Sequence, residues 1–326
     1  MRHSQAEKYE IIRLVEDSEL GVKRTLKQLG VPRSTFYDWY KRYVDNGYDG
    51  LADKTSGPKK FWNQIPEFER EKIRDISLEY PDKTPRELAW FITDNEGYYV
   101  SESSVYRILQ EYQLCPSPAY IVVSAADKFK NPTTRVDQMW QTDFTYLFVR
   151  GWGWYYLSTI MDDYSRYIIA WKLCKTMKAK DVEATLDIAR RRSGVEHVKV
   201  CCQPRLLSDN GPCYISGELE KYMGKVKMKH VHGRPMHPQT QGKIERWHQT
   251  MKNVIKLHFY ESVEELEESL DAFIKYYNNE RYHESLDNIT PEDMYCGNDY
   301  EIKQRREKIK KTTMLNRRKS NLSKIA

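Results

Sequence analysis

Midway along the chain the spacing of the apolar residues changes, and this restricts the fold more than any other feature. Up to the polar segment Ser124–Asp137 the apolar positions recur at helical intervals; beyond it, short β-prone runs begin. Helical modules should therefore come first and a domain containing a sheet second. A chain of 326 residues has room for about two domains, or more if some are small. With 40% hydrophobic and 31% charged residues, the composition is that of a soluble globular protein rather than a disordered one.

In the first third, Tyr9, Ile12 and Val15 mark an amphipathic helix over Ser4–Asp17 that Gly21 breaks. A short second helix, Val22–Leu29, is expected to bury Leu26 and Leu29 and to stop at Gly30. Pro32 suits the opening of a third, where its missing N–H costs nothing. That helix places Phe36, Trp39, Tyr40 and Tyr43 on one stripe and leaves Arg33, Ser34, Thr35, Tyr37, Lys41 and Arg42 facing out. Helix, short helix, tight turn and a helix with a polar-basic outer face form a helix-turn-helix, whose last helix enters the DNA major groove. A three-helix bundle that binds no DNA has the same apolar pattern.

Residues 44–62 read as a linker rich in Gly, Asp and Lys. A second helical set follows: Glu67–Glu79, a helix opened by the capping box Thr84-Pro85-Arg86-Glu87, and one capped by Ser101 with Val105, Ile108 and Leu109 inward. Its surface is less basic, so it suits either DNA or a protein partner.

In the second half, Met139–Leu147, Tyr155–Met161 and Tyr167–Leu173 are β-prone, with a turn at Asp162-Asp163-Tyr164-Ser165, and predict an antiparallel meander. A helix over Lys180–Arg191 and a short strand Pro204–Leu207 come next. Asp143 lies inside the first apolar run, where a lone anion is costly unless paired. Asp209 stands where the short strand ends, and Glu245 lies on a helix that starts after Pro238 and buries Ile244, Trp247, Met251 and Ile255. Thirty-five residues, 210–244, separate these last two acids. Asp162 and Asp163 are weaker candidates because they sit in a turn.

The segments WQTDFTYL, LLSDNGP and HPQTQGKIERWHQTMK, followed by YNNERYHESL and Thr290-Pro291, resemble the integrase catalytic core of bacterial insertion-sequence transposases, a relative of retroviral integrase. The resemblance covers about residues 132–295, and a helix-turn-helix start is also typical of the family. Thr240-Gln241-Gly242 departs slightly from the family pattern, and the His/Cys zinc module that opens retroviral integrases is missing.

The resemblance implies an α/β ribonuclease-H-like core, a mixed sheet with helices, preceded by two all-α helix-turn-helix modules. It implies that Asp143, Asp209 and Glu245 hold two Mg²⁺ or Mn²⁺ ions for DNA cleavage and strand transfer. The helix of Glu245 would offer Lys252, His248 and Gln249 to DNA, with Lys243 and Arg246 as further candidates. Arg281 and His283 of the closing motif are read mainly as structural.

The expected organisation is 1–58 and 62–115 for the two helical modules, 116–131 a linker, 132–295 the core and 296–326 a basic tail. That tail carries ten Lys/Arg against one acid from Ile302 onward, which suits a polyanion. Expected partners are element-end and target DNA, with a homo-oligomer assembled on them. No membrane segment or secretory signal is read, so the expected location is the cytoplasm, at the nucleoid when DNA is bound. A DNA-binding regulator that keeps the core only as scaffold, and a simple metal-dependent nuclease, are the alternatives.

Overall fold

The computed structural model describes residues 3–18, 20–53, 62–114, 132–198, 203–233 and 241–323. The expected linker 116–131 and the residues His237–Thr240 of the third motif lie outside these. Two compact units are present, Met1–Gln64 and Ile65–Ala326.

The first unit contains α1 (Gln5–Glu16), α2 (Val22–Gln28) and α3 (Arg33–Asn46). Ser4 and Glu7 close a capping box at the start of α1, which satisfies two otherwise unpaired N–H groups. Ile12, Leu26, Val31, Phe36 and Trp39 form the core. Leu29, expected inside, is 38% exposed, because the helix ends there and its side chain turns away from the α1–α3 contact. The segment expected as linker begins inside the fold: a 3-10 turn at Tyr48–Leu51 inserts the fully buried Leu51 into the core. Lys8, itself buried, closes this turn by pairing with Asp53 and donating to the Leu51 carbonyl.

The second unit opens with α4 (Glu67–Glu79), α5 (Pro85–Asn95) and α6 (Glu102–Glu111), packed around Ile73, Leu88, Ile92, Val105 and Ile108. The Thr84–Glu87 box and the Ser101 cap both form as the sequence dictates. A five-stranded sheet follows, in the order β3-β2-β1-β4-β5. Its strands are β1 (Met139–Val149), β2 (Gly153–Asp162), β3 (Ile168–Cys174), β4 (Arg205–Ser208) and β5 (His230–His232). The first three are the antiparallel meander; β4 and β5 join parallel to β1, which makes the sheet mixed.

Helices cover both faces. One apolar layer joins the sheet to α9 (Gly242–Ile255) and α10 (Val263–Asn279) through Leu157, Trp247, Met251 and Leu270. The other joins it to α7 (Ala179–Ser193) and α8 (Gly217–Val226) through Trp140, Ile160, Leu186 and Leu219. After α10, the short α11 (Pro291–Cys296) leads into α12 (Asp299–Ser323).

The stretch read as a basic tail is therefore mostly a 25-residue helix. Its anchors are three polar residues that are buried: Arg306, Thr313 and Arg317. Arg306 donates to both carboxylate oxygens of Asp94 on α5, at 2.9 and 2.7 Å, and to the carbonyls of Asp287 and Asn288. Its guanidinium also stacks 4.4 Å from the Trp90 ring. Arg317 donates to the Tyr98 hydroxyl and the Tyr99 carbonyl. One helix thereby fastens α5 to the segment that follows α10. Removing one member of a buried ion pair leaves the other stranded, at a cost of about 3–5 kcal/mol. Arg306→Ala is expected to lower the unfolding free energy of the second unit by about 3 kcal/mol in urea titrations, whereas the exposed Lys308→Ala leaves it within about 0.5 kcal/mol.

Candidate active site

Asp143 lies near the middle of β1, with its side chain 21% exposed. One oxygen accepts from the Phe144 N–H at 2.8 Å, and the other lies 3.3 Å from Nδ1 of His248. The last β1–β4 pair in the parallel ladder is Gln141↔Leu207. Asp143 stands two residues beyond Gln141 on β1, and Asp209 two beyond Leu207, just past the end of β4, so each follows the last pair of the parallel ladder by the same count. Asp209, exposed at the end of β4, accepts from the Gly211 N–H at 2.9 Å. A Cβ at Gly211 would come within 3.0 Å of that same oxygen, so the approach relies on glycine. The two aspartates share neighbours: burial first, then the charges of Asp209 and Asp143, push the Cys213 thiol up to about 11. Tyr214 is pushed up for the same reasons.

Glu245 sits in the first turn of α9, whose start is pinned to the sheet by a buried polar chain. Gln141, fully buried on β1, accepts from the Ile244 N–H at 3.2 Å and donates to Asp163 at 2.6 Å. Asp163 in turn pairs with Lys243 at 2.7 Å, and Gln241 donates to the Thr142 carbonyl. Burial outweighs the attraction of Asp163, so the Lys243 ammonium is held below its ordinary value. The same anchoring sets Glu245 beside Asp143. Partial desolvation pushes the Glu245 carboxyl up, the charge of Asp143 adds to this, and His248 opposes it.

Of the residues expected to reach DNA from α9, Lys252 is half-buried with its ammonium 4.4 Å from the Tyr146 ring. Desolvation and Lys256 lower its pKa while Asp143 raises it. Gln249 is exposed. His248 is not: at 6% exposure it turns inward to Asp143, because position 248 falls on the buried side of the helix beside Trp247. On α3, Arg33, Ser34, Tyr37 and Lys41 are exposed, while Thr35 and Arg42 are half-buried and Arg42 is tied to the Ala52 carbonyl.

Residues 133–238 and 226–291 each match the family described as Integrase core domain. Residues 133–291 are thus similar to an integrase core domain. Residues 2–52 and 35–109 match families described as Homeodomain-like domain, the helix-turn-helix class. The chain is similar to the transposase for transposon Tn552 of Staphylococcus aureus, 26% identical over 275 residues, covering 77% of this chain and 56% of that protein. It is also similar to the transposase for insertion sequence element IS904 of Lactococcus lactis, 28% identical, covering 49% of this chain and 62% of that one. It thus spans between half and two thirds of the length of these curated relatives. Among solved structures, the HTLV-2 integrase catalytic core domain superposes with a TM-score of 0.39 at 17% identity, covering 49% of this chain and 97% of that one.

Within the integrase core the spare acids of the β2–β3 turn are structural. Asp162 accepts from Ser165 and from the Asp137 N–H, and burial raises it to about 6. Asp163 belongs to the anchor of α9. Among the described residues no three His, Cys, Asp or Glu side chains group closely enough to hold a metal ion as they stand. Asp143 and Asp209 each spend an oxygen on a local N–H, and Asp143 its other on His248. Sequence reasoning missed the anchor itself. Its signal was a glutamine inside an apolar strand and a second aspartate beside one that already completes the turn.

In the closing motif Tyr277, Asn278 and Leu286 are buried while Asn279, Glu280, Glu284 and Ser285 are exposed, and the half-buried His283 ring meets Tyr277 edge-on at 5.2 Å. Burial, with Arg281, Arg166 and Arg246 nearby, holds that imidazole down at about 3.

Lys243→Ala strands the buried Asp163 carboxylate, and is expected to cost about 3 kcal/mol in urea unfolding, well above Lys252→Ala. For His283 the unfolded chain gains a proton near pH 6.5 that the folded chain refuses. Stability should therefore fall as pH drops from about 6.5, by up to about 1.4 kcal/mol per pH unit from this group. His283→Phe should flatten that fall in melting curves recorded between pH 7 and 5.

Proposed function

We propose that this protein is a DNA transposase that binds the ends of a mobile element and catalyses metal-dependent DNA cleavage and strand transfer. Asp143, Asp209 and Glu245 are its catalytic acids. The observation that carries the reading is that Asp143 and Asp209 each follow the last pair of the parallel β1–β4 ladder by two residues, with Glu245 within the field of Asp143. The similarity to two transposases and the homeodomain-like matches support the same reading.

The three acids suit Mg²⁺ or Mn²⁺, two per site. All the donors are hard carboxylate oxygens, and the Glu245 carboxyl, raised first by burial and then by the charge of Asp143, would be relieved by a cation. Bound there, such ions would supply stabilisation of the charge that builds on the phosphoryl, attacking and leaving oxygens during in-line displacement. His248 orients Asp143, and the Gln141–Asp163–Lys243 chain holds α9 in place. Lys252 offers a cation to a DNA phosphate along the same helix. Arg33, Ser34, Tyr37 and Lys41 are the residues of α3 that reach the major groove. Two element ends must be handled together, so the active species is a homo-oligomer on DNA, at the nucleoid in the cytoplasm. Among the described residues no helix is long and apolar enough to cross a membrane.

The test is an assay with labelled element-end DNA and a target plasmid, in Mg²⁺ or in chelator. Asp143→Asn and Glu245→Gln are each expected to reduce strand-transfer products by about a hundredfold or more, with end binding retained. Wild-type protein that binds the ends yet neither cuts nor joins would instead be a regulator; cutting without joining would make it a nuclease.

A further inference from the structure

The β1–β2 hairpin carries large aromatic side chains that stand exposed among the described residues. Along β1, Thr145, Leu147 and Val149 are buried while Tyr146 and Phe148 are 57% and 58% exposed. Trp154, directly across from Phe148 on β2, is 56% exposed. The three rings touch edge to face, Phe148–Trp154 at 5.1 Å and Tyr146–Trp154 at 5.6 Å. A contiguous apolar surface of this kind marks a binding site more often than chance exposure.

Next to these rings lies a cavity of about 530 Å³, closed on its other side by the stretch that follows α9, including Phe259, which is 91% exposed. Arg150, Lys256 and His258 line it, and no carboxylate is among the described lining residues. Lys252 bridges the platform and the acids, its ammonium over the Tyr146 ring and within the field of Asp143. The hairpin tip is tied down by Trp152, which donates to the Glu261 carbonyl at 3.0 Å.

We infer that this face is a stacking platform for unpaired DNA bases beside the active site. Aromatic rings interleaved with cations bind single-stranded nucleic acid, since every base has a face to stack and every nucleotide a phosphate to pair. Bases inside a duplex are already stacked, so the platform selects a strand whose end has opened. Tyr146 is three residues from Asp143 and so turns to the other face of the sheet; Lys252, over the Tyr146 ring and within the field of Asp143, links the two across β1. A second copy of the chain is the poorer occupant, because a twofold contact would bring two cationic rims together.

The inference rests on the transposase reading. Full-length protein without metal is titrated into a fluorescently labelled oligo-dT strand and, separately, a blunt duplex, and anisotropy is recorded. The double variant Phe148→Ala/Trp154→Ala is expected to bind the single strand about tenfold or more weakly, with duplex affinity unchanged. The pair Phe148→Tyr/Trp154→Phe is expected to keep wild-type binding, which separates lost stacking from lost folding. Unchanged single-strand affinity, or an equal loss on duplex, overturns the platform. So does sedimentation showing that the double variant loses self-association alone. If wild type cuts and joins element-end DNA while the double variant still binds oligo-dT normally, only the platform falls. If wild type does neither, the transposase reading falls with it.

Discussion

Glu245 lies within the field of Asp143, and two acids so placed push apart unless the element that carries one of them is held from behind. Here the hold is a buried run of polar contacts, from Gln141 through Asp163 to Lys243, that fixes the first turn of α9 against β1. In a low-dielectric interior such contacts are strong only when every group is partnered. The lysine ammonium, lowered by burial, illustrates the tension: its pairing with Asp163 is needed to keep it there as a cation. The Glu245 side chain projects from the fixed turn, so its distance from Asp143 is set by residues that need never meet DNA.

Much of this was legible in the sequence because the responsible patterns are local. The Thr84–Glu87 capping box and the Val105, Ile108 and Leu109 face of α6 depend on residues three or four apart, and the structure places them where periodicity predicts. The candidate acids stood out because each sits where a carboxylate is costly or unusual. What escaped was nonlocal. Gln141 and Lys243 are brought together by the packing of a helix on a strand 100 residues earlier, and no spacing rule announces that. His248 was misplaced by helical geometry alone, which puts it near Lys252 but does not say that the indole of Trp247 draws this flank inward.

The reading of α12 as a tail failed for a related reason. Its sequence is strongly basic with little amphipathic pattern, as a solvated segment would be. The helix is retained by polar rather than apolar burial: Arg306 and Arg317 lie over tyrosine and tryptophan rings and donate to carbonyls and to Asp94. Arginine suits this because its planar, weakly hydrated head can stack and donate at the same time. The consequence is that α4–α6 share one compact unit with the sheet, so whatever α6 binds is presented in a fixed relation to the acids.

The shortness of β4 accounts for two features at once. It pairs with β1 only over Met139–Gln141, and Asp209 comes just past its end. Beyond that pairing β1 continues for eight residues, Thr142–Val149, bonded to β2 alone among the described strands. An edge of this kind invites unwanted pairing between chains unless something occupies or blunts it. Lys252 reaches across to Tyr146 at this edge, and the aromatic hairpin extends from it. The strand that carries Asp143 thus leads directly to the exposed rings of the hairpin, and the ending of β4 is what leaves the edge between them free for Lys252 to cross.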